Sequence, residues 1–148
     1  MNIVKAGQEH IIEVSRLFDL YRQFYECDPD LELATKFITE RVIRRESDIF
    51  VAVADNKARG FVQLYPSFCS VEAVKIYILY DLYVDAECRK SGLGESLMNR
   101  ATEWAKENGA ARLDLLTAHS NVAGQHLYEK LGYKKVNEDF FAYSLEVQ

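Results

Sequence analysis

Two glycines, two residues apart and behind an arginine, open the amphipathic stretch CRKSGLGESLMNRATEWAKENG, residues 88–109. Glycine inside a helix start costs about 1 kcal/mol relative to alanine, so a bare backbone there needs a reason. A helix N-terminus presents about four unsatisfied N–H groups and about half a positive charge, and anions bind to it. Gly92 and Gly94 remove side chains that would keep a bulky anion from those groups, while Arg89, Lys90 and the Ser91 hydroxyl add charge and donors nearby. The chemistry this supports is a backbone cradle for a pyrophosphate. A plain connecting loop between strand and helix fits the same residues. A Walker loop is absent because no GxxxxGK[ST] occurs. A dinucleotide fingerprint fails at Leu97, which stands in its third glycine position, although Asp114 lies where its acidic residue would fall.

Other reactive side chains carry less pattern. Asp81 sits in the apolar and aromatic run VKIYILYDLYV, where a carboxylate is a base or the partner of a buried cation or backbone N–H. His10, His119 and His126 show no metal-ligand spacing, and no metal site is expected. Cys27, Cys69 and Cys88 are an odd set without paired spacing, which reads as reduced thiols. Cys88, beside Arg89, is either a thiol of lowered pKa or an inert one. No cysteine or serine stands in a nucleophile–base constellation. Glu26, Asp28 and Asp30 either attract a cation or form a solvated turn with a cap.

These residues need a frame to hold them. The 148 residues suit one domain, 1–148, with a single core. Apolar residues make up 49% and charged residues 28%, the composition of a soluble globular protein. No run reaches the roughly 20 apolar residues of a membrane span, and MNIVKAGQEH lacks the features of a signal peptide. A cytoplasmic protein without a membrane partner is expected. With 23 acidic against 18 basic residues the net charge is −5, which argues against a nucleic-acid partner and is compatible with a cationic substrate.

Apolar spacing predicts a helix over 9–25, ended by CDPD because the residue before Pro29 is pushed out of helical geometry. Asp30 can cap a second helix, LELATKFITERVIRRE. IFVAVAD and ARGFVQLYPSF read as strands joined at Asp55–Lys57, and VKIYILYDLYV as a third. A helix from Leu93 to Gly109, a strand ARLDLLTA and a helix NVAGQHLYEKL follow, with YKKV and DFFAYSLEV as closing strands. The order predicts an α/β fold with a mixed, mostly antiparallel sheet and helices on both faces.

In this frame YDLYVDAECRKSGLGESLMNRATEWAKENG, followed by NVAGQHLYEKLGYKK, resembles the GCN5-related N-acetyltransferase superfamily. The pattern is a strand, then [QR]-x-x-G-x-[GA] as Arg89–Gly94, then Asn121, Tyr128 and Leu131-Gly132-Tyr133. IYxxDLYV and YRQFYE further resemble the diamine acetyltransferases and the yeast histone and polyamine acetyltransferase subgroup. Diamine enzymes carry Glu before the matching Asp, where this chain has Tyr80.

The resemblance implies transfer of an acetyl group from acetyl-CoA to a primary amine. The implied acceptor is a small cationic amine such as a polyamine or diamine, with a protein lysine or N-terminus, or a non-catalytic acyl-CoA-binding module, as alternatives. It implies cofactor contacts at Leu82, Tyr83 and Val84, whose backbone would pair with the pantetheine arm, and at Arg89, Lys90, Ser91, Gly92, Leu93, Gly94, Glu95 and Asn121. Asn121 is also a candidate helix cap. Tyr128 matches the superfamily's acid, which would protonate the leaving thiolate, or is a core aromatic. Asp81 matches the base position, with a water relay as the alternative. A homodimer is a further expectation. An amine of pKa near 10.4 is neutral in only about one molecule in 10³ to 10⁴ at pH 7, so a base or a pKa-lowering site is required.

Overall fold

Ile49, Phe50, Val51 and Ala52 are consecutive and all buried, so the strand they form is covered on both faces. The computed structural model, which describes residues 1–148, places them in β2 (Asp48–Ala54). The five-stranded sheet runs β1-β2-β3-β4-β5, with β1 at Asn2–Lys5, β3 at Lys57–Cys69, β4 at Val74–Val84 and β5 at Leu113–Asp114. Strands β1 to β4 pair antiparallel, and β5 joins β4 in parallel. The helices are α1 (Ile11–Phe24), α2 (Leu31–Ile43), α3 (Leu93–Glu107) and α4 (Val122–Lys130). The chain forms two compact units, Met1–Leu116 and Thr117–Gln148. No helix is long and apolar enough to cross a membrane.

Strand periodicity divides the first unit into two layers. Ile49, Val51, Ala58 and Phe61 pack against Val14, Leu17 and Phe18 of α1 and Ala34 and Ile38 of α2. Phe50 points the other way and meets Trp104 of α3, ring centroids 5.6 Å apart. Full burial of such side chains stabilises by about 1.5–3 kcal/mol each. Gly60 is on this second face, where a Cβ would come within 3.0 Å of the Tyr83 carbonyl oxygen and 3.1 Å of Leu97 Cδ1. Its missing side chain lets the first turns of α3 lie close on the sheet.

The connection between α1 and α2 is held by a left-handed residue and two carboxylates. Glu26 (φ +65°) follows the end of α1, where the Cys27 N–H reaches the Arg22 carbonyl at 3.0 Å. Asp30 caps α2, accepting the Leu33 N–H at 3.1 Å, as its position predicts. Asp19, buried in α1, accepts the Asp30 N–H at 2.9 Å and the Gln23 amide at 3.1 Å.

Two elements differ from expectation. β1 is absent from the predicted order, since NIVK is too short to display an alternation. The closing strands do not form: residues 133–148 contain no regular element, and Phe141, Tyr143, Leu145 and Val147 are exposed. Alternation alone does not make a strand. A ladder also needs a partner to take its N–H and C=O groups.

Candidate active site

The first unit holds a cavity of about 730 Å³ lined from α1, α2, β3 and β4. Phe18, Tyr21, Tyr25, Phe37, Tyr65 and Tyr80 make its wall aromatic, and Arg22, Arg41, Glu46 and Asp81 supply its charges. Phe18 and Phe37 stack at 5.4 Å, and Tyr65 meets Tyr80 edge-on at 5.5 Å.

A register slip positions Asp81. On β3, Gln63 pairs with Asp81 but the next residue, Leu64, pairs with Leu79, so Tyr80 is an extra residue in β4. Consecutive side chains of a regular strand point to opposite faces. At this bulge Tyr80 and Asp81, adjacent in sequence, both line the cavity.

Asp81 is held from below. The Gln63 amide donates to its Oδ2 at 2.6 Å, and the Ser47 hydroxyl donates to Gln63 Oε1 at 2.7 Å. Ser47 thereby turns the NH₂ end of Gln63 toward the carboxylate. Burial raises the Asp81 pKa above its ordinary value, while hydrogen bonds from Gln63 and the Tyr21 hydroxyl oppose the shift. The Tyr65 phenol is pushed up to about 12 by burial and by the Asp81 charge, so it remains a neutral hydroxyl at neutral pH.

Beyond Asp81, β4 continues as Leu82, Tyr83 and Val84, paired with Val62, Phe61 and Gly60. On the other side β5 reaches only Tyr77 and Ile78. The stretch from Leu79 to Val84 therefore runs past the end of β5 and leaves an open edge of backbone groups, suited to an extended ligand. That splay is invisible in the sequence.

The turn after β4 leads into α3. Arg89 Nε donates to the Val84 carbonyl at 3.2 Å, and its guanidinium lies 5.5 Å from the Tyr83 ring. Lys90 adopts φ +63°. The exposed Ser91 hydroxyl donates to the Cys88 carbonyl, which closes the turn. Gly92 is the N-cap at φ +83°, a left-handed conformation that favours glycine. Its carbonyl accepts the Ser96 N–H at 3.0 Å. Leu93 is buried, and Gly94 and Glu95 complete the first turn. The first-turn N–H groups of a helix have no intrahelical acceptors, and an anion fits there.

In the second unit Asn121 caps α4, its Oδ1 accepting the Gly124 N–H at 3.1 Å and its Nδ2 donating to Thr117 Oγ1 at 3.0 Å. Tyr128 lies on α4, with its ring 6.1 Å from that of Tyr133 and its carbonyl taking the Tyr133 N–H at 3.0 Å. No His, Cys, Asp or Glu group could hold a metal ion. The acidic turn residues Glu26, Asp28 and Asp30 do not line the cavity.

The structure thus gathers Asp81, the open edge at Leu82–Val84 and the Arg89–Glu95 turn along one strand and the helix that follows it. It adds Tyr21, Arg22, Ser47, Gln63 and Tyr65, which sequence reasoning did not single out. Gln63 had a signal, being the one amide within the apolar run GFVQLY. Arg22 had none, since a charge on an amphipathic helix ordinarily faces water.

Residues 14–133 match the acetyltransferase (GNAT) family. The chain is 40% identical over 147 residues to the uncharacterized N-acetyltransferase YhfO of Bacillus subtilis (strain 168), covering 99% of this chain and 98% of that one. A crystal structure of a probable acetyltransferase superposes with a TM-score of 0.90 at 37% identity, covering 100% and 99% of the two chains. An aminoglycoside N-acetyltransferase, AAC(6')-Iy in complex with CoA, shares the fold with a TM-score of 0.82 at 16% identity, over 97% and 93% of the chains. With the sheet, the glycine turn and these likenesses in agreement, the chain belongs to the GNAT family of acetyl-CoA-dependent N-acetyltransferases.

Proposed function

We propose that this chain acts over residues 1–148 as one catalytic domain that transfers acetyl directly to a primary amine seated in the aromatic cavity. The observation that carries this is Asp81, a buried carboxylate at the cavity surface immediately before the open edge of β4. Acetyl-CoA, when bound, supplies the thioester from which the acetyl group moves. The backbone of Leu82, Tyr83 and Val84 holds its extended arm, and the turn from Arg89 to Glu95 receives its pyrophosphate, with Asn121 as a further contact.

Asp81 attracts the ammonium form of the acceptor and accepts its proton, directly or through one water. Its raised pKa makes it a stronger base than an exposed aspartate. The freed amine attacks the carbonyl carbon, a C–N bond forms and the C–S bond breaks. Tyr128 would give its phenolic proton to the departing sulfur and be reprotonated by the second N–H proton that the nitrogen loses as the amide forms. Cys27 lines the cavity, but no histidine accompanies it there, which favours direct transfer over an acyl-enzyme.

A small cationic amine such as a polyamine or diamine suits the Asp81 end. Its second ammonium would meet Arg22, the cavity's cation without an acidic partner, an arrangement that Coulomb repulsion opposes. The test is release of free thiol from acetyl-CoA with spermidine, putrescine, lysine and a histone-tail peptide, each followed against pH. Acetylation of any amine that is lowered most at neutral pH by Asp81→Asn supports the assignment. An unaltered profile in that variant removes Asp81 as the base.

A further inference from the structure

Arg22 and Asp81 line the same cavity, and neither has an ionic partner. Of the cavity's other charges, Arg41 is already neutralised, with Glu40 at 3.3 Å and Glu46 at 3.1 Å. Arg22 forms no salt bridge, and its Nη1 is buried without any hydrogen-bond acceptor. That nitrogen is enclosed by protein, so a carboxylate in the cavity would meet the part of the Arg22 side chain that lines it, and a guanidinium without an ionic partner favours such a contact. Asp81 is satisfied by the neutral donors Gln63 and Tyr21 and faces no cation.

We infer that the acceptor is an amine that also carries a carboxylate, with its ammonium directed to Asp81 and its carboxylate bound by Arg22. This rests on the reading of the cavity as the acceptor site. The two unpaired charges are of opposite sign and are not within salt-bridge distance of each other, so a zwitterion satisfies both without disturbing either. The aromatic lining of the cavity, including Phe18, Tyr21 and Tyr65, accommodates an apolar body. Hydrogen bonds between a guanidinium and a carboxylate are charge-assisted and stronger than neutral ones. A single unpaired cation suits a monoanion better than a doubly charged phosphate. The acceptor class is therefore an amino acid or a longer aminocarboxylate.

The test pairs each acid with a counterpart lacking the negative charge: leucine with leucinamide, and 5-aminopentanoate with 5-aminopentanamide and 1,5-diaminopentane. 5-Aminopentylphosphonate is the arm for a doubly charged anion. Binding is measured by calorimetry on the full chain in the presence of CoA, and acetylation is followed separately by thiol release. At least one acid should bind about tenfold or more tighter than its amide. Arg22→Met and Arg22→Gln should each erase that difference, acting on KM, while Arg22→Lys retains part of it. Because the guanidinium has no partner to lose, Arg22→Met should melt no lower than wild type, and Arg22→Gln serves if it does not fold.

Equal binding of acid and amide, tighter binding of the diamine or the phosphonate, a difference that survives in Arg22→Met, or no binding of either acid overturns the inference. Arg22-dependent binding of an acid without any thiol release leaves the inference standing and defeats the acetyl-transfer reading of the cavity. Acetylation of amides and diamines as readily as acids does the reverse.

Discussion

The Gln63 amide nitrogen lies 2.6 Å from Asp81 Oδ2, with both residues buried and paired across β3 and β4. The Ser47 hydroxyl fixes the amide orientation from the other side. A donor so placed stabilises the charged form of the carboxylate and restrains the upward shift that burial imposes. Gln63 is a positioning residue that acts through Asp81.

Gln63→Leu keeps much of the volume and removes the donor. The Asp81 pKa should then rise further, so the acidic limb of the rate–pH profile should move to higher pH while acetyl-CoA affinity is unchanged. A profile superimposable on that of wild type would confine Gln63 to packing.

The stability of the chain carries the same signature. A carboxyl whose folded-state pKa is raised binds its proton more tightly in the folded than in the unfolded state. Its contribution is fully present below the unfolded value and is lost as pH rises through the folded one. Asp81→Asn has no such titration, so its stability relative to wild type should climb as pH rises from the ordinary carboxylate range toward neutrality. Parallel denaturation curves at each pH measure this, and a constant difference contradicts it.

Gly94 stands in the first turn of α3. Gly94→Val places a branched side chain where an anion would approach the backbone. CoA binding, measured by calorimetry on the folded variant, should weaken well before stability fails. Unchanged affinity would remove the pyrophosphate from this turn.

Gly60→Ala puts a methyl group within 3.0 Å of the Tyr83 carbonyl and 3.1 Å of Leu97. Overpacking of this kind costs about 1–3 kcal/mol. Since Leu93 is also within 3.3 Å, the start of α3 should shift and CoA affinity should fall with stability. Urea unfolding and calorimetry on the same sample report both, and wild-type values in both would show that the contact relaxes freely.

Tyr128→Phe retains the ring beside Tyr133 and removes only the hydroxyl. General acid catalysis is typically worth about 10²–10⁴-fold, so kcat should fall within that range with little change in acetyl-CoA affinity. A variant within about twofold of wild type would make Tyr128 a packing residue.

Much of this protein is legible in its chain because the signals are local. The period of α1, the Asp30 cap, the glycine at the start of α3 and the Asn121 cap each rest on a few neighbouring residues, and each appears where its residues predict. The glycine turn and the motifs after it carry the likeness to the GNAT family. What stayed hidden depends on partners distant in sequence. The bulge that brings Tyr80 and Asp81 to one face is a mismatch between two strands, and no single strand displays it. The open edge of β4 exists because β5 is short, and the length of a ladder is set by both members. DFFAYSLEV has the alternation of a strand but forms none, since pairing requires an edge that the local pattern cannot supply. Arg22 reads as a solvated charge on a helix until the fold buries its Nη1 beside the cavity. The sequence by itself determined which residues can do chemistry; the tertiary structure decided which of them share a surface, because burial and pairing are properties of what lies across the gap.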